Sequence, residues 1–313
     1  MTLVWVAVLV VGVVAASAAS SRAVGAALAV SDSLGVSHGL IGLTVLAVGT
    51  DLPEIANSIS ASLSGHGDIN VGDSAGSALA QITLVLGFLL LVAGAQLDLH
   101  TGGSRIAITI GGATVVALVL LAILLADGRL GRVDGVVLVA GWVVSVGLIQ
   151  RREGGRSIRV PRYGGDVAGG IATTLGWLVV VGGAATLVVR AFVELADRFG
   201  VPEFIASALV LSVGTSMPEL VVDWTAIRRN ASALAIGDLF GSSLVDSTLS
   251  VGIGPIVRAT PIGEGTMNGV LVIAVGCALA TALVAFAGAP RRTAMWLLAV
   301  YAGTTVSVVA IVG

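Results

Sequence analysis

Two glutamates stand in matched surroundings, in Gly49-Thr50-Asp51-Leu52-Pro53-Glu54 and again in Gly214-Thr215-Ser216-Met217-Pro218-Glu219. A second polar run follows each, Gly72-Asp73-Ser74-Ala75-Gly76-Ser77-Ala78-Leu79-Ala80-Gln81 and Gly237-Asp238-Leu239-Phe240-Gly241-Ser242-Ser243-Leu244-Val245-Asp246. Val45 to Gly87 aligns with Val210 to Gly252 without a gap, with 16 of 43 positions identical, and many of the shared residues are polar. Proline lacks an N–H and clashes with the carbonyl four residues back, so Pro53 frees the oxygen of Gly49 and Pro218 that of Gly214. Both helices are expected to kink there. At i, i+4 spacing Thr50 and Glu54 share a helix face, as do Thr215 and Glu219, Ser77 and Gln81, and Ser242 and Asp246. Carboxylates, hydroxyls, an amide and loose carbonyls are hard oxygen ligands that suit Ca²⁺, and Na⁺ of similar size. No His or Cys belongs to the set, so zinc and copper fit poorly.

The elements that must position these oxygens are membrane helices. The 313 residues are 56% hydrophobic and 11% charged with mean hydropathy +1.05, which excludes a water-soluble globule. At roughly 20 apolar residues per crossing, the chain divides into ten spans: 3–20, 38–62, 69–95, 105–126, 134–150, 166–190, 203–227, 233–257, 268–288 and 293–312. The expected fold is an all-α polytopic membrane protein, a first five-helix repeat over 1–150 and a second over 166–313, joined by an Arg-rich linker at 151–165. The odd number of helices between the copies makes the repeats inverted, the plan of secondary transporters whose substrate site lies near the midplane. The small-residue run Ala15 to Ala19 has no basic stretch before it, so the first span reads as a retained helix rather than a signal peptide.

All 16 basic residues are Arg, and 11 of them fall on one side under this plan. The positive-inside rule then places both termini outside a cell membrane and loop 151–163 in the cytoplasm. The expected partners are the lipid bilayer and inorganic cations. Net charge −2 points to no nucleic acid, and no obligatory protein partner or cofactor is evident. Lone Cys277 can form no intrachain disulfide. An acid at mid-bilayer costs a few kcal/mol even on the lenient insertion scale, and no Arg neighbours Glu54, Glu219 or Asp246 within the spans, so a cation is the expected compensation.

These motifs resemble the paired alpha-repeats of the sodium/calcium exchangers of the calcium/cation antiporter superfamily, especially the short prokaryotic type, whose halves read like G-T-S-x-P-E and G-[ND]-x-x-G-S-x-x-x-[ND]. The resemblance implies a Ca²⁺/Na⁺ antiporter working by alternating access, with Glu54 and Glu219 as central Ca²⁺ ligands. Thr50, Ser77, Thr215, Ser216, Ser242 and Asp246 would add oxygens, as would the backbone near Ala47 and Ser212, while the first and sixth helices slide across the core. The chain departs from the pattern where Gln81 replaces an Asn, keeping the metal-facing amide with one more methylene. It departs again where Asp51 replaces a Ser. Two carboxylates so close disfavour joint ionisation, which opens H⁺ as a coupling ion. Ser212 stands where Ala is common, and Asp73 and Asp238 where Asn is common.

An H⁺- or K⁺-coupled exchanger is the alternative that Asp51 and Asp246 raise. A passive channel would normally use subunit symmetry rather than internal repeats. An intramembrane hydrolase lacks both H-E-x-x-H and G-x-S-x-G. Asp223, one turn past Glu219 and near Arg228, reads as a solvated charge. His38, His66 and His100 fall at helix ends, Glu194 and Arg198 read as a surface pair, and Trp142, Trp177, Trp224 and Trp296 as interface or packing aromatics.

Overall fold

The computed structural model describes residues 2–34, 37–97, 103–154, 167–196 and 203–312, almost all of them helical. Helix α1 (Thr2–Leu34) runs well past the expected end at residue 20, because neither a proline nor a positive-φ residue interrupts it. Arg22, assigned by its sequence to a loop, is therefore a helix residue. The second span breaks into α2 (His38–Thr50) and α3 (Leu52–Ser64), bent by 45°. There follow α4 (Gly67–Ala93), α5 (Gly103–Leu124), α6 (Arg132–Gly154), α7 (Val167–Ala196), α8 (residues 203–215) with α9 (Met217–Arg228), α10 (Ser232–Val257), α11 (Thr266–Ala285) and α12 (Pro290–Val312). These rods overlie the expected spans, α1 and α7 running past theirs. Six are individually long and apolar enough to cross a membrane, or seven with the α2–α3 pair, and the chain is an all-α multi-pass membrane protein. Most of the 151–163 loop, His100 and Arg198 lie outside the described residues, as does the Glu194 side chain.

Burial runs opposite to that of a soluble protein. Helices α4 and α10 form the centre, 78% of each span's most apolar window being buried, against 22% for α6 and 17% for α12. The outer helices turn Val116, Ile123, Val143, Leu148, Val275 and Val306 outward, while Asp51, Glu54, Asp73, Glu219, Asp223, Asp238 and Asp246 lie fully inside. Only a lipid-facing exterior makes that distribution favourable. A two-residue ribbon of β1 (Arg129–Leu130) and β2 (Thr260–Pro261), paired antiparallel with Arg129 opposite Pro261, ties the α5–α6 turn to the α10–α11 turn.

The centre is interlocked between repeats. A Cβ on Gly76 of α4 would strike the Ala208 backbone of α8, and one on Gly241 of α10 would come within 2.8 Å of Leu43 Cα on α2. Lone small-xxx-small patterns are uninformative in so glycine-rich a sequence, but these two positions let the polar helices cross closely enough to share one site. Each polar helix also contains a π-turn, at Gly42–Leu46, Gln81–Val85, Ser207–Leu211 and Asp246–Ser250. The four positions obey the same internal repeat as the motifs. The π-turns of α4 and α10 begin at Gln81 and Asp246, and beside them the Thr83 hydroxyl donates to the Leu79 carbonyl and Thr248 to Leu244. Single π-turns inside α-helices are frequent at functional sites.

Candidate cation site

The expected kinks are full breaks, two residues before each proline. Asp51 has φ −79°, ψ 8° and Ser216 has φ −78°, ψ 8°, so both repeats leave the helix by the same local geometry. The helix restarts with Pro53 and Pro218 in its first turn, where a missing N–H loses no bond. Glu54 and Glu219 follow in the same turn, where the positive end of a half-helix offsets part of the cost of a buried carboxylate. The i, i+4 argument for Thr50 with Glu54 thus holds across a break rather than along one helix.

The breaks meet in the interior. One carboxyl oxygen from each of Asp51, Glu54 and Glu219 lies within 4.8 Å of the others. All three residues are fully buried, and neither their carboxyl oxygens nor the Ser216 hydroxyl has a hydrogen-bond partner. Among the described residues no Arg or His forms an ion pair with any of them. Unpaired buried charge of this density is untenable without a cation or protons.

Around this centre the hydroxyls pair across the repeats: Thr50 Oγ1 lies 3.2 Å from Ser242 Oγ, and Thr215 Oγ1 3.2 Å from Ser77 Oγ. Gln81 Nε2 donates to Asp246 Oδ2 at 3.0 Å, leaving Gln81 Oε1 and Asp246 Oδ1 unpartnered. The Ala47 carbonyl accepts from Asp51 N and Thr50 Oγ1, both at 3.1 Å. That of Ser212 accepts from Ser216 N at 3.0 Å, Thr215 Oγ1 at 3.2 Å and Ser77 Oγ at 3.3 Å. Both carbonyls are therefore engaged, and a hydroxyl must turn away before either could bind an ion.

The twelve residues singled out in the sequence lie on α2–α4 and α8–α10 or at the breaks at Asp51 and Ser216, but their acidic neighbours are not among them. Asp73 accepts from Asn57 Nδ2 at 2.6 Å and from Thr215 Oγ1 at 3.1 Å, and so sets the position of Thr215. The signal was available, since Gly-Asp recurs at 72–73 and 237–238. Asp223 is a correction: it is fully buried against Asp238 rather than solvated. Arg228 is exposed at the helix end, while α10, which carries Asp238, packs on the face of α9 that carries Asp223. Trp177 packs under Arg22, whose guanidinium carbon is 4.7 Å from the ring centroid, joining α7 to α1.

An oxygen-only constellation with no Arg or His ion pair among the described residues, set between two broken helices of a multi-pass protein, is what a membrane cation transporter requires. The chain belongs to the sodium/calcium exchanger family: the family profile described as sodium/calcium exchanger protein matches residues 4–150 and 169–310. It is 27% identical over 267 residues to inner membrane protein YrbG of Escherichia coli (strain K12), spanning 80% of this chain and 79% of that one. It is 24% identical over 300 residues to sodium/calcium exchanger MaX1 of Methanosarcina acetivorans, spanning 82% and 84%. The fold matches a structure of the sodium-calcium exchanger NCX_Mj soaked with Na⁺ and Sr²⁺, with TM-score 0.74 over 98% of this chain and 99% of that one, at 22% identity. The family is one of cation exchangers rather than enzymes.

Proposed function

We propose that this chain exchanges Ca²⁺ for Na⁺ across the cell membrane by alternating access, with the ions bound at the junction of the two breaks. The observation that carries the reading is the cluster of Asp51, Glu54 and Glu219, three buried carboxylates within 4.8 Å and without a counter-charge among the described residues. Glu54 and Glu219 are the central Ca²⁺ ligands in this reading. Thr50, Ser77, Gln81, Thr215, Ser216, Ser242 and Asp246 supply oxygens to Na⁺ or Ca²⁺, and Ala47 and Ser212 add carbonyls once the threonine hydroxyls rotate. Because both cations want the same oxygens, and because the carboxylates cannot cross empty and charged, binding of one excludes the other and couples their movements.

Helices α1 and α7, which pack along each other and against the α2 and α8 segments, move across this core to expose it to either side. The two five-helix units span 1–150 and 166–313, inverted about the 151–165 linker. The termini face outward and loop 151–163 faces the cytoplasm. Asp51, a fourth acid beside Asp246 and the glutamates, favours a second reading with H⁺ or K⁺ as coupling ion.

The test is ⁴⁵Ca²⁺ uptake into proteoliposomes loaded with Na⁺, against choline-loaded and K⁺-loaded vesicles and an imposed pH gradient. Uptake that requires internal Na⁺ establishes the exchange. Uptake driven only by the pH gradient or K⁺ replaces it with the second reading, and no uptake under any gradient refutes calcium as substrate.

A further inference from the structure

One pair of acids lies outside the constellation above. Asp223 on α9 and Asp238 on α10 are fully buried with their carboxyls against each other, and none of the four oxygens has a hydrogen-bond partner. The other repeat displays what a carboxylate at this place requires. Asp73, the counterpart of Asp238, accepts from the Asn57 amide at 2.6 Å and the Thr215 hydroxyl at 3.1 Å. In the second repeat Thr50, the counterpart of Thr215, likewise stands near Asp238, and both threonines also approach the equivalent serine and carbonyls, so the repeats differ at the amide. Asn57 itself has no counterpart: Val222 aligns with it, and the next position, Ser58 in α3, is Asp223 in α9.

Where the first repeat places an amide N–H beside a buried carboxylate, the second places another carboxylate. The nearest arginines along the chain do not compensate. Arg228 and Arg229 are exposed, and Arg229 Nη2 donates to Ser21 Oγ of α1 at 2.7 Å. Asp223 lies four residues past Glu219 along α9, about 6 Å of helical rise, so the pair is one turn from the central carboxylates toward the Arg228 end.

We infer that Asp223 and Asp238 hold a second divalent cation of Ca²⁺ size, at a subsite one turn from the central cluster. Two carboxylates neutralise one divalent charge, and hard oxygens suit that ion class. The first repeat has no equivalent, because the Asn57 amide already donates to Asp73 and Ser58 stands where Asp223 does, so the two ends of the ion path differ in charge. The inference extends the reading of the central cluster as a cation site and is testable apart from it.

The experiment is equilibrium ⁴⁵Ca²⁺ binding to the purified full chain in detergent, in choline buffer, comparing the unsubstituted protein with Asp223→Asn and Glu54→Gln. Asp223→Asn rebuilds the amide–carboxylate pair that Asn57 and Asp73 make. The expected result is a saturating stoichiometry lower by one Ca²⁺ per chain in Asp223→Asn, with a different Ca²⁺ lost in Glu54→Gln. Asp223→Ser, which restores the residue type of Ser58, must show the same loss and guards against a folding artefact of the first variant. Unchanged stoichiometry in both Asp223 variants overturns the subsite, as does a bound proton, rather than Ca²⁺, being what they lose. If the unsubstituted protein binds no Ca²⁺, the reading of the central cluster fails as well.

Discussion

Glu219→Gln separates a cation ligand from a structural acid, because the two roles predict opposite effects on the ion-free protein. The substitution keeps shape and removes one charge from three carboxylates whose oxygens lie within 4.8 Å in a fully buried site. With a cation bound, deleting one partner of a buried charge pair costs about 3–5 kcal/mol. At about 1.4 kcal/mol per tenfold, that is roughly a hundred- to several-thousand-fold loss of Ca²⁺ affinity. Without a cation the sign reverses, since one of three mutually repelling groups is gone and the ion-free variant is at least as stable as the parent. Linkage converts this into a thermal readout: Ca²⁺ at a hundred times its dissociation constant adds about 2.7 kcal/mol to the folded state. The assay is thermal unfolding of the detergent-purified chain across a Ca²⁺ titration in choline buffer. The parent's midpoint climbs with Ca²⁺, while the variant starts no lower and stays flat over the same range. A variant whose midpoint climbs over the parent's Ca²⁺ range refutes the ligand assignment. A variant that collapses without any ion makes Glu219 a structural residue.

Glu54→Gln is expected to behave alike and to abolish ⁴⁵Ca²⁺ flux while folded protein still reaches the membrane, which flux and membrane-fraction yield measured together will check. Asp51→Ser matches the second repeat, where Ser216 holds the same backbone geometry. Exchange should persist with a changed response to pH or K⁺ gradients, and an unchanged profile removes Asp51 from the coupling. Gly241→Val drives a side chain into α2, where a Cβ already comes within 2.8 Å of Leu43 Cα and 3.0 Å of Ala47 Cβ. Overpacking of this kind costs about 1–3 kcal/mol and should lower the unfolding midpoint and the flux. Gly112→Val on the open face of α5, where a Cβ meets nothing within 4 Å, should do neither.

The site was legible in the sequence because polar residues stand out in a membrane span. Glu54, Thr50 and Ser77 recur as Glu219, Thr215 and Ser242, and the structure brings the hydroxyls together in cross-repeat pairs and the glutamates into one cluster. The break was legible in kind but not in place: Pro53 marks it, yet the chain leaves the helix at Asp51, because a proline is better accommodated inside the first turn of a new helix than at the end of an old one. The π-turns were not legible, since each depends on how a helix settles against its neighbours rather than on local propensity. Asp223 misled for a related reason. Its place near Arg228 at the end of a span suits a solvated charge, and only the packing of α10 against α9 decides that Arg228 faces out and Asp223 in.

Backbone pseudo-symmetry in this protein is closer than side-chain pseudo-symmetry, and the difference bears on selectivity. The breaks at Asp51 and Ser216 share φ and ψ within a degree, and the π-turns at Gln81 and Asp246 begin at equivalent positions. At each of these pairs one repeat carries an acid and the other a neutral oxygen, and Ser58 against Asp223 is a third instance. The first repeat gains a carboxylate at Asp51, and the second gains them at Asp246 and Asp223. The matching backbones therefore present side chains that differ in charge, and at Gln81 against Asp246 also in reach. Ions of similar radius, such as Na⁺ and Ca²⁺, differ chiefly in charge, so under the exchange proposed above the acid-for-neutral exchanges are the positions whose substitution should shift the preference between a monovalent and a divalent cation.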